Sequence, residues 1–270
     1  MDDRKGLIDG EQIAEEIESS LEDIDAVLAI VLVGDNEASR TFVNEKIDAC
    51  ERNGFGSELH SFPKDVEQEE LIDELDRLAE DDSVNGILVQ LPLPDHIDQG
   101  KIFSRIPVEK DVDGLTVLNQ GRTLRGEQGV RPAAVRGIMR ILDEEDTEIE
   151  GDDIVIVNNS VLIGRPLSMD LTERKGTVTI CHDRTKDLDS KLPRADIVIT
   201  ATGVEGIVNQ DNISKNSVVI DAGYTNGNGD ITDYMEIAEK ARLSPVPGGL
   251  GPITVAMTLD NLVQCVKMQD

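Results

Sequence analysis

The amino-acid sequence predicts an α/β fold in which two parallel-sheet domains flank a cleft. Short, wholly apolar runs such as residues 27–33 and 87–89 are typical of strands buried on both faces of a parallel sheet. Segments with helical apolar spacing alternate with these runs, as in βαβ units. At 270 residues the chain is long enough for two domains of this kind.

The first half of the chain predicts a βαβαβ pattern behind an N-terminal helix. We predict helices at 7–18, 37–53 and 66–79, and strands at 27–33, at 58–61 and around the apolar run 87–89. The last of these strands runs into Gln90, and Pro92 and Pro94 then stop the ladder because proline has no N–H to donate. Gln90 is therefore expected at the carboxyl end of a strand, where open α/β sheets bind their ligands.

The second half of the chain predicts another parallel sheet. A polar, Gly- and Arg-rich stretch at 120–131 divides a first domain, residues 1–120 plus 252–270, from a second domain, residues 121–251. We predict helices at 133–142, from Pro166 onward and at 255–266, and strands at 153–157, 177–181, 197–201 and 218–221. This second domain has the pattern of a Rossmann-like, dinucleotide-binding fold.

The charge balance is extreme, with 55 acidic against 26 basic residues and a formal net charge of −29. Such a charge repels polyphosphate, so we expect no nucleic-acid partner and no membrane surface. The acids are spread along the chain, which indicates a halophilic protein whose self-repulsion is screened by salt. No apolar signal region follows the charged residues 1–5, and the three cysteines are an odd number with wide spacing. We therefore expect a cytoplasmic protein with reduced thiols and no metal site.

Three separate segments contain candidate catalytic side chains. Ser39, Phe42 and Lys46 share one helix face, because they stand at positions i, i+3 and i+7. Gln90 and Asp113 follow in later loops. Taken singly, Lys46 also fits a solvated surface lysine, Gln90 a strand cap and Asp113, next to a glycine, a turn residue.

The loop at 158–166 is a candidate phosphate-binding turn between a strand and a helix. Its one glycine is Gly164, so Asn158 is expected to make the sharp turn in a left-handed backbone conformation. The helix that follows would offer free N–H groups to a pyrophosphate. An ordinary βα turn is the alternative interpretation.

Together these segments resemble one enzyme family. Residues 39–50, 86–94, 110–114 and 245–254 are similar, in order and spacing, to the signature segments of methylenetetrahydrofolate dehydrogenase/methenyltetrahydrofolate cyclohydrolase. The resemblance extends from about residue 8 to residue 261. It implies oxidation of 5,10-methylenetetrahydrofolate with NADP or NAD, followed by hydrolysis to 10-formyltetrahydrofolate. It also implies a homodimer.

The resemblance also implies roles for individual residues. The implied catalytic residues are Lys46, Gln90 and Asp113. The implied substrate-binding residues are Ser39, Phe42, Asp113, Pro247, Gly248, Gly249 and Thr254. The implied cofactor-binding residues are Asn158, Asn159, Ser160, Gly164, Arg165, Pro166, His182, Asp183, Arg184, Thr202, Gly203 and Tyr224.

Three positions depart from the family pattern. Phe42 stands where the family usually has tyrosine, Asn159 where it has arginine, and Asp183 where it often has serine or arginine. An acid near the adenosine ribose favours NAD, because it repels the 2′-phosphate of NADP. Two alternatives therefore stay open: a monofunctional NAD-dependent dehydrogenase, and a folate-binding paralogue without turnover.

The charge generates a first prediction. At low ionic strength the compact state repels itself, so the melting temperature should rise steeply between ~0.1 M KCl, where the Debye length is about 10 Å, and ~1 M KCl, where it is about 3 Å. Thermal denaturation across that range measures the effect. A flat melting temperature would contradict the halophilic interpretation.

Overall fold

The computed structural model describes residues 6–225 and 227–269 and divides them into two compact units. We call residues 16–133 with 255–269 the three-strand unit, and residues 6–15 with 134–254 the five-strand unit. Residues 1–5, for which no signal region is expected, lie outside the described range. Within that range, no helix combines the length and the apolar character needed to cross a bilayer.

The three-strand unit contains a parallel sheet of order β2-β1-β3. Its strands are β1 (Val27–Val33), β2 (Gly56–Phe62) and β3 (Gly86–Val89). The helices of the first half of the chain are α1 (Gly10–Ser19), α2 (Glu37–Arg52), α3 (Gln68–Glu80), α4 (Gln99–Phe103), α5 (Val117–Leu124) and α6 (Ala133–Glu144). Because β1 lies between β2 and β3, the loops after all three strands meet at one edge of the sheet.

The five-strand unit contains a second parallel sheet, of order β5-β4-β6-β7-β8. Its strands are β4 (Asp153–Val157), β5 (Thr177–Cys181), β6 (Ile197–Thr200), β7 (Val218–Asp221) and β8 (Arg242–Ser244). The remaining helices are α7 (Gly164–Glu173), α8 (Leu188–Lys191), α9 (Tyr234–Ala238) and α10 (Leu250–Gln269). The chain reverses its direction of travel across the sheet between β4 and β6, which is where such sheets open a ligand crevice.

The apolar sequences of the strands are explained by the burial of their side chains. β1 and β3 have almost no exposed side chains, and Leu28, Ile30 and Leu88 pack with Leu259 and Leu262 of α10 in the core of the three-strand unit. The fully buried runs of β4, β6 and β7 form the corresponding core of the five-strand unit with the C-terminal residue of β5, Cys181. The predicted α/β class with two parallel sheets is confirmed.

Several element boundaries differ from prediction. The final helix begins at Leu250 rather than 255, because Pro252 falls in its first turn, where the fixed φ of proline fits and its missing N–H is not needed. The stretch predicted as a polar linker at 120–131 begins inside α5, whose first turn is capped by the Thr116 hydroxyl accepting from the Asn119 N–H at 3.3 Å. β8 and the short helices α4, α8 and α9 were not predicted.

Candidate active site

Lys46 is a buried lysine that hydrogen-bonds Gln90. Its residue is only 8% exposed, and its Nζ donates to Oε1 of Gln90 at 2.9 Å. The amide of Gln90 cannot turn freely, because its Nε2 donates to the carbonyl oxygen of Leu91 at 2.9 Å. Helix α2 follows β1, and Gln90 follows the neighbouring strand β3, so the topology brings the two side chains together. The interpretation of Lys46 as a solvated surface lysine is therefore wrong.

The environment of Lys46 favours its neutral form. Burial lowers its pKa, and the negative charges of Asp113 and Glu45 oppose this effect only in part. A lowered pKa increases the fraction of neutral amine at a given pH, and the neutral amine is the form that can accept a proton. The site therefore contains a candidate general base.

Asp113 lies in a loop that is held by hydrogen bonds to the neighbouring Asp111. The preceding acid, Asp111, is 1% exposed, and its carboxylate accepts from the N–H groups of Leu115 at 3.0 Å and Thr116 at 2.9 Å. It also accepts from the side-chain amide of Asn119 at 2.9 Å. These three donors hold the loop in one shape, so Asp113 belongs to a more rigid structure than an isolated turn.

A second anchor for this loop comes from α10. The side-chain nitrogen of Asn261 donates to the carbonyl oxygens of Val112 at 2.7 Å and of Arg131 at 2.9 Å. Gly114 adopts a φ of +62°, and a Cβ there would lie 2.5 Å from the Val130 carbonyl oxygen. Only glycine fits this close approach, so the residue after Asp113 is sterically determined.

The carboxyl group of Asp113 is electrostatically coupled to Lys46. Asp113 is half-buried, and burial raises its pKa to about 6 although the Lys46 charge acts to lower it. The nearby Asp111 raises it further. Both groups of this pair are therefore shifted toward their neutral forms.

The rest of the predicted face of α2 is also sheltered. Ser39 is 5% exposed and lies in the first turn, where its N–H donates to the side chain of Asn36 at 3.0 Å. Phe42 is half-buried one turn before Lys46. The apolar ring and the buried amine thus share one face, as the spacing predicts.

The predicted substrate residues 247–249 and 254 belong to the five-strand unit. Gly248 has a φ of +88°, and its carbonyl oxygen accepts from the Gly10 N–H at 2.9 Å. A Cβ on Gly249 would lie 2.3 Å from the Pro245 carbonyl oxygen, so this position requires glycine. Thr254 lies inside α10, and its hydroxyl donates to the Leu250 carbonyl oxygen at 3.0 Å.

Asn158 shapes the loop after β4 in a way that was not predicted. It does not adopt the left-handed conformation. Its side-chain oxygen accepts instead from the Ser160 N–H and hydroxyl, each at 2.8 Å, and from the Gly164 N–H at 3.0 Å, while its nitrogen donates to the Ala201 carbonyl oxygen at 2.6 Å. The prediction for Asn158 is wrong because the side chain, rather than the backbone, makes the turn.

The start of α7 also differs from the prediction of free N–H groups. The Gly164 N–H is taken by Asn158, the Arg165 N–H donates to the Ser160 carbonyl oxygen at 3.0 Å, and Pro166 has no N–H. A Cβ on Gly164 would lie 2.0 Å from the Asn158 carbonyl oxygen, which explains the glycine. The exposed side chains of Asn159 and Arg165 remain available at this rim.

The other predicted cofactor residues lie after β5, β6 and β7. His182, Asp183 and Arg184 are exposed, and Nε of Arg184 lies 3.1 Å from a carboxylate oxygen of Asp183. The later loops carry the half-buried Thr202 and the exposed Gly203 and Tyr224. Because the strands are parallel, all these residues lie along the same carboxyl edge of the five-strand sheet.

Two buried carboxylates at this edge were missed. Asp221 and Asp230 are each 0% exposed. The available signal was an acid, Asp221, at the end of the otherwise apolar run of β7, since a buried acid must find hydrogen-bond donors. Within the described part of the chain, no group of three or more His, Cys, Asp or Glu side chains is arranged to hold a metal ion.

Comparisons with known proteins agree with this architecture. Residues 8–113 match the catalytic-domain model of tetrahydrofolate dehydrogenase/cyclohydrolase, and residues 132–270 match the NAD(P)-binding-domain model of the same family. The bifunctional protein FolD of Staphylococcus haemolyticus is 40% identical over 278 residues, which cover 97% of each chain.

Solved structures give the same result. The bifunctional methylenetetrahydrofolate dehydrogenase/cyclohydrolase FolD of Campylobacter jejuni superposes with a TM-score of 0.92 at 37% identity, covering 98% of this chain and 99% of that one. The Trypanosoma brucei dehydrogenase-cyclohydrolase, solved with NADP and an inhibitor, has a TM-score of 0.92 at 30% identity and covers 97% of each chain. This chain therefore belongs to the tetrahydrofolate dehydrogenase/cyclohydrolase family.

Proposed function

We propose that the protein oxidises 5,10-methylenetetrahydrofolate to the 5,10-methenyl form with NADP or NAD, and then hydrolyses that product to 10-formyltetrahydrofolate. Family membership supports both reactions. The observation that carries the hydrolytic step is the buried Lys46, held by Gln90 and coupled to Asp113. A protein that only bound folate would gain nothing from a buried amine with a lowered pKa, because desolvating a lysine is costly.

Lys46 activates water for the hydrolytic step. The water oxygen forms a bond to the bridging carbon of the methenyl cation while the Lys46 amine takes one proton of the water. The bond between the bridging carbon and N5 then breaks as N5 takes the proton back from the Lys46 ammonium, which restores the neutral amine, and the second water proton leaves to solvent. The formyl group remains on N10. Gln90 keeps the lone pair of the amine in place, because its Oε1 accepts one amine N–H.

Asp113 and Phe42 supply substrate recognition. A carboxylate can accept from two N–H groups at once, which suits the amino and ring N–H groups of the pterin. The Phe42 ring offers an apolar face beside Lys46, without the hydroxyl that tyrosine would add. Hydrolysis in this protein therefore uses no hydroxyl at position 42.

The carboxyl edge of the five-strand sheet fits a nicotinamide dinucleotide. Arg165 and Arg184 place exposed guanidinium groups there for phosphate, and the exposed Tyr224 offers an aromatic ring. Gly203 at this sheet edge is exposed and has a φ of +70°. When bound, the oxidised nicotinamide accepts the hydride that leaves the bridging carbon of the folate. The NADP bound in the Trypanosoma brucei structure supports NADP as the cofactor of this protein. The carboxylate of Asp183 supports NAD instead, because it would repel the 2′-phosphate of NADP.

The wider setting forms part of the same proposal. The product carries a formyl group for one-carbon metabolism, including purine biosynthesis. The net charge of −29 supports a location in a cytoplasm with a high salt concentration. A homodimer is supported by β5, which among the described strands pairs with β4 alone and exposes Ile180 at 37%.

Replacing the proposed base tests the hydrolytic assignment. Lys46→Met should abolish hydrolysis of the methenyl substrate while folate binding is largely retained, because the apolar stem still packs but no amine remains to take the proton. The decay of methenyl absorbance measures the rate, and Lys101→Met, an exposed lysine of the same unit, is the control. Hydrolysis at the wild-type rate in Lys46→Met would rule out the assignment.

Asp113 generates a prediction about pH. With a pKa of about 6, its carboxylate is lost as pH falls through that value, so folate affinity should fall below pH 6 in the wild type. Asp113→Asn should weaken binding at pH 8 by about 1.5–3 kcal/mol and remove the pH dependence. Calorimetry with a folate analogue measures both effects, with the exposed Asp82→Asn as control. If the folate affinity of Asp113→Asn is unchanged, Asp113 shapes the loop and does not bind the substrate.

Cofactor choice depends on the exposed pair of Asp183 and Arg184. Asp183→Ser removes the carboxylate and frees the Arg184 guanidinium, so kcat/KM should shift toward NADP, most strongly at low KCl where charge repulsion is least screened. Steady-state kinetics with both cofactors, at low and high KCl, measure the shift. Asp211→Ser, also exposed in this unit, is the control. If the wild type strongly prefers NADP and Asp183→Ser changes nothing, Asp183 has no part in the choice.

A further inference from the structure

The missed carboxylates Asp221 and Asp230 form a buried network at the edge assigned to the cofactor. Their hydrogen-bond donors are backbone N–H groups and hydroxyls rather than basic side chains. Burial raises the pKa of Asp221, and these hydrogen bonds act to lower it again. A buried anion without a cationic partner is costly, so the number and geometry of its donors determine whether it is tolerated.

The carboxylate of Asp230 accepts hydrogen bonds from Thr200 at the end of β6 and from the loop that follows. One carboxylate oxygen accepts from the Thr200 hydroxyl at 2.6 Å and from both the backbone N–H and the hydroxyl of Thr202, at 2.5 and 2.9 Å. The other oxygen accepts from the Val204 N–H at 3.1 Å. One side chain thereby fixes the backbone on both sides of the exposed Gly203.

Asp221 in turn fixes Asp230 and the loop that follows β7. Its carboxylate accepts from the N–H groups of Gly223 at 2.9 Å, of Asp230 at 3.1 Å and of Ile231 at 3.0 Å. The hydroxyl of Tyr234 donates to it at 2.6 Å. The loop that carries Tyr224 and the loop that carries Thr202 are thus joined through two carboxylates in series.

The two loops approach these carboxylates too closely for any side chain. A Cβ on Gly223 would lie 2.1 Å from Oδ1 of Asp230, and a Cβ on Gly229 would lie 2.1 Å from Oδ2 of Asp221. Glycines at both positions let the backbone close around the anions. Positions 223 and 229 therefore require glycine.

We propose that Asp230 is a positioning residue for cofactor binding, acting through Thr202 and Val204 to hold the loop after β6 in register with the Tyr224 loop. This inference rests on the proposed function, which assigns Thr202, Gly203 and Tyr224 to the cofactor. An amide cannot replace the carboxylate, because its NH2 group would face an N–H or hydroxyl donor on one side. The loop would then shift away from its binding geometry.

The second reaction of the enzyme separates this role from a merely structural one. Hydrolysis of supplied methenyltetrahydrofolate consumes no dinucleotide and depends on Lys46, in the other unit. General destabilisation would lower both activities together. A positioning defect would weaken dinucleotide binding and dehydrogenation and leave hydrolysis intact.

The experiment compares Asp230→Asn with the wild type and with Asp233→Asn. Asp233 is exposed, lies three residues away and makes no capping hydrogen bond to α9. Fluorescence titration with NADPH and NADH measures binding directly. We expect the Kd of Asp230→Asn to rise about tenfold or more for the cofactor that the wild type prefers, which corresponds to about 1.4 kcal/mol. Hydrolysis and the Kd of Asp233→Asn should stay within about twofold of the wild type.

If Asp230→Asn does not fold, a second pair of variants tests the same inference. Thr200→Val removes one hydroxyl donor to Asp230 at nearly constant volume, and Thr200→Ser restores it. We expect Thr200→Val to weaken dinucleotide binding and Thr200→Ser to rescue it. An unchanged Kd in folded Asp230→Asn, or an equal loss of hydrolysis and binding, overturns the inference alone. A wild type that binds neither dinucleotide instead overturns the proposed function, and the inference with it.

Discussion

The hydrogen bond between Lys46 and Gln90 is the constraint around which the chemistry of the three-strand unit is arranged. A buried amine needs an acceptor, and the acceptor must be held in place, which the Leu91 carbonyl does by taking the other end of the Gln90 amide. The proximity of Asp113 would by itself keep the amine charged, and burial outweighs that effect. The lowered pKa of the Lys46 amine is therefore produced by desolvation, and the carboxylates of Asp113 and Glu45 only limit how far that pKa falls.

Much of this arrangement could be predicted from the sequence, because burial on both faces of a parallel sheet leaves uninterrupted apolar runs. The order of β1, α2 and β3 then places Lys46 and Gln90 at one sheet edge before any coordinates are known. Helical spacing also identifies the face that Lys46 shares with Phe42. It does not reveal what covers that face, so the burial of Lys46 rested on family resemblance until the structure showed it.

The features that escaped prediction depend on where backbone N–H groups point. Asn158 is compatible with a left-handed turn and with a turn made by its side chain, and the sequence does not distinguish them. The donors that satisfy Asp221 and Asp230 are mainly main-chain groups from loops distant in sequence. Residue type shows that a buried acid needs partners, but it carries no information on which loop supplies them.

The amide of Asn261 has a consequence for how the protein is made. It belongs to α10 yet holds the Val112 and Arg131 carbonyl oxygens beside the Asp113 loop, and residues 134–254 form a different unit in between. During synthesis the ribosome must translate that whole intervening unit before α10 can close the sheet that was made first. The apolar faces of β1 and β3 lack α10 throughout this interval, so apolar surface of the nascent chain stays uncovered until residues 255–269 emerge.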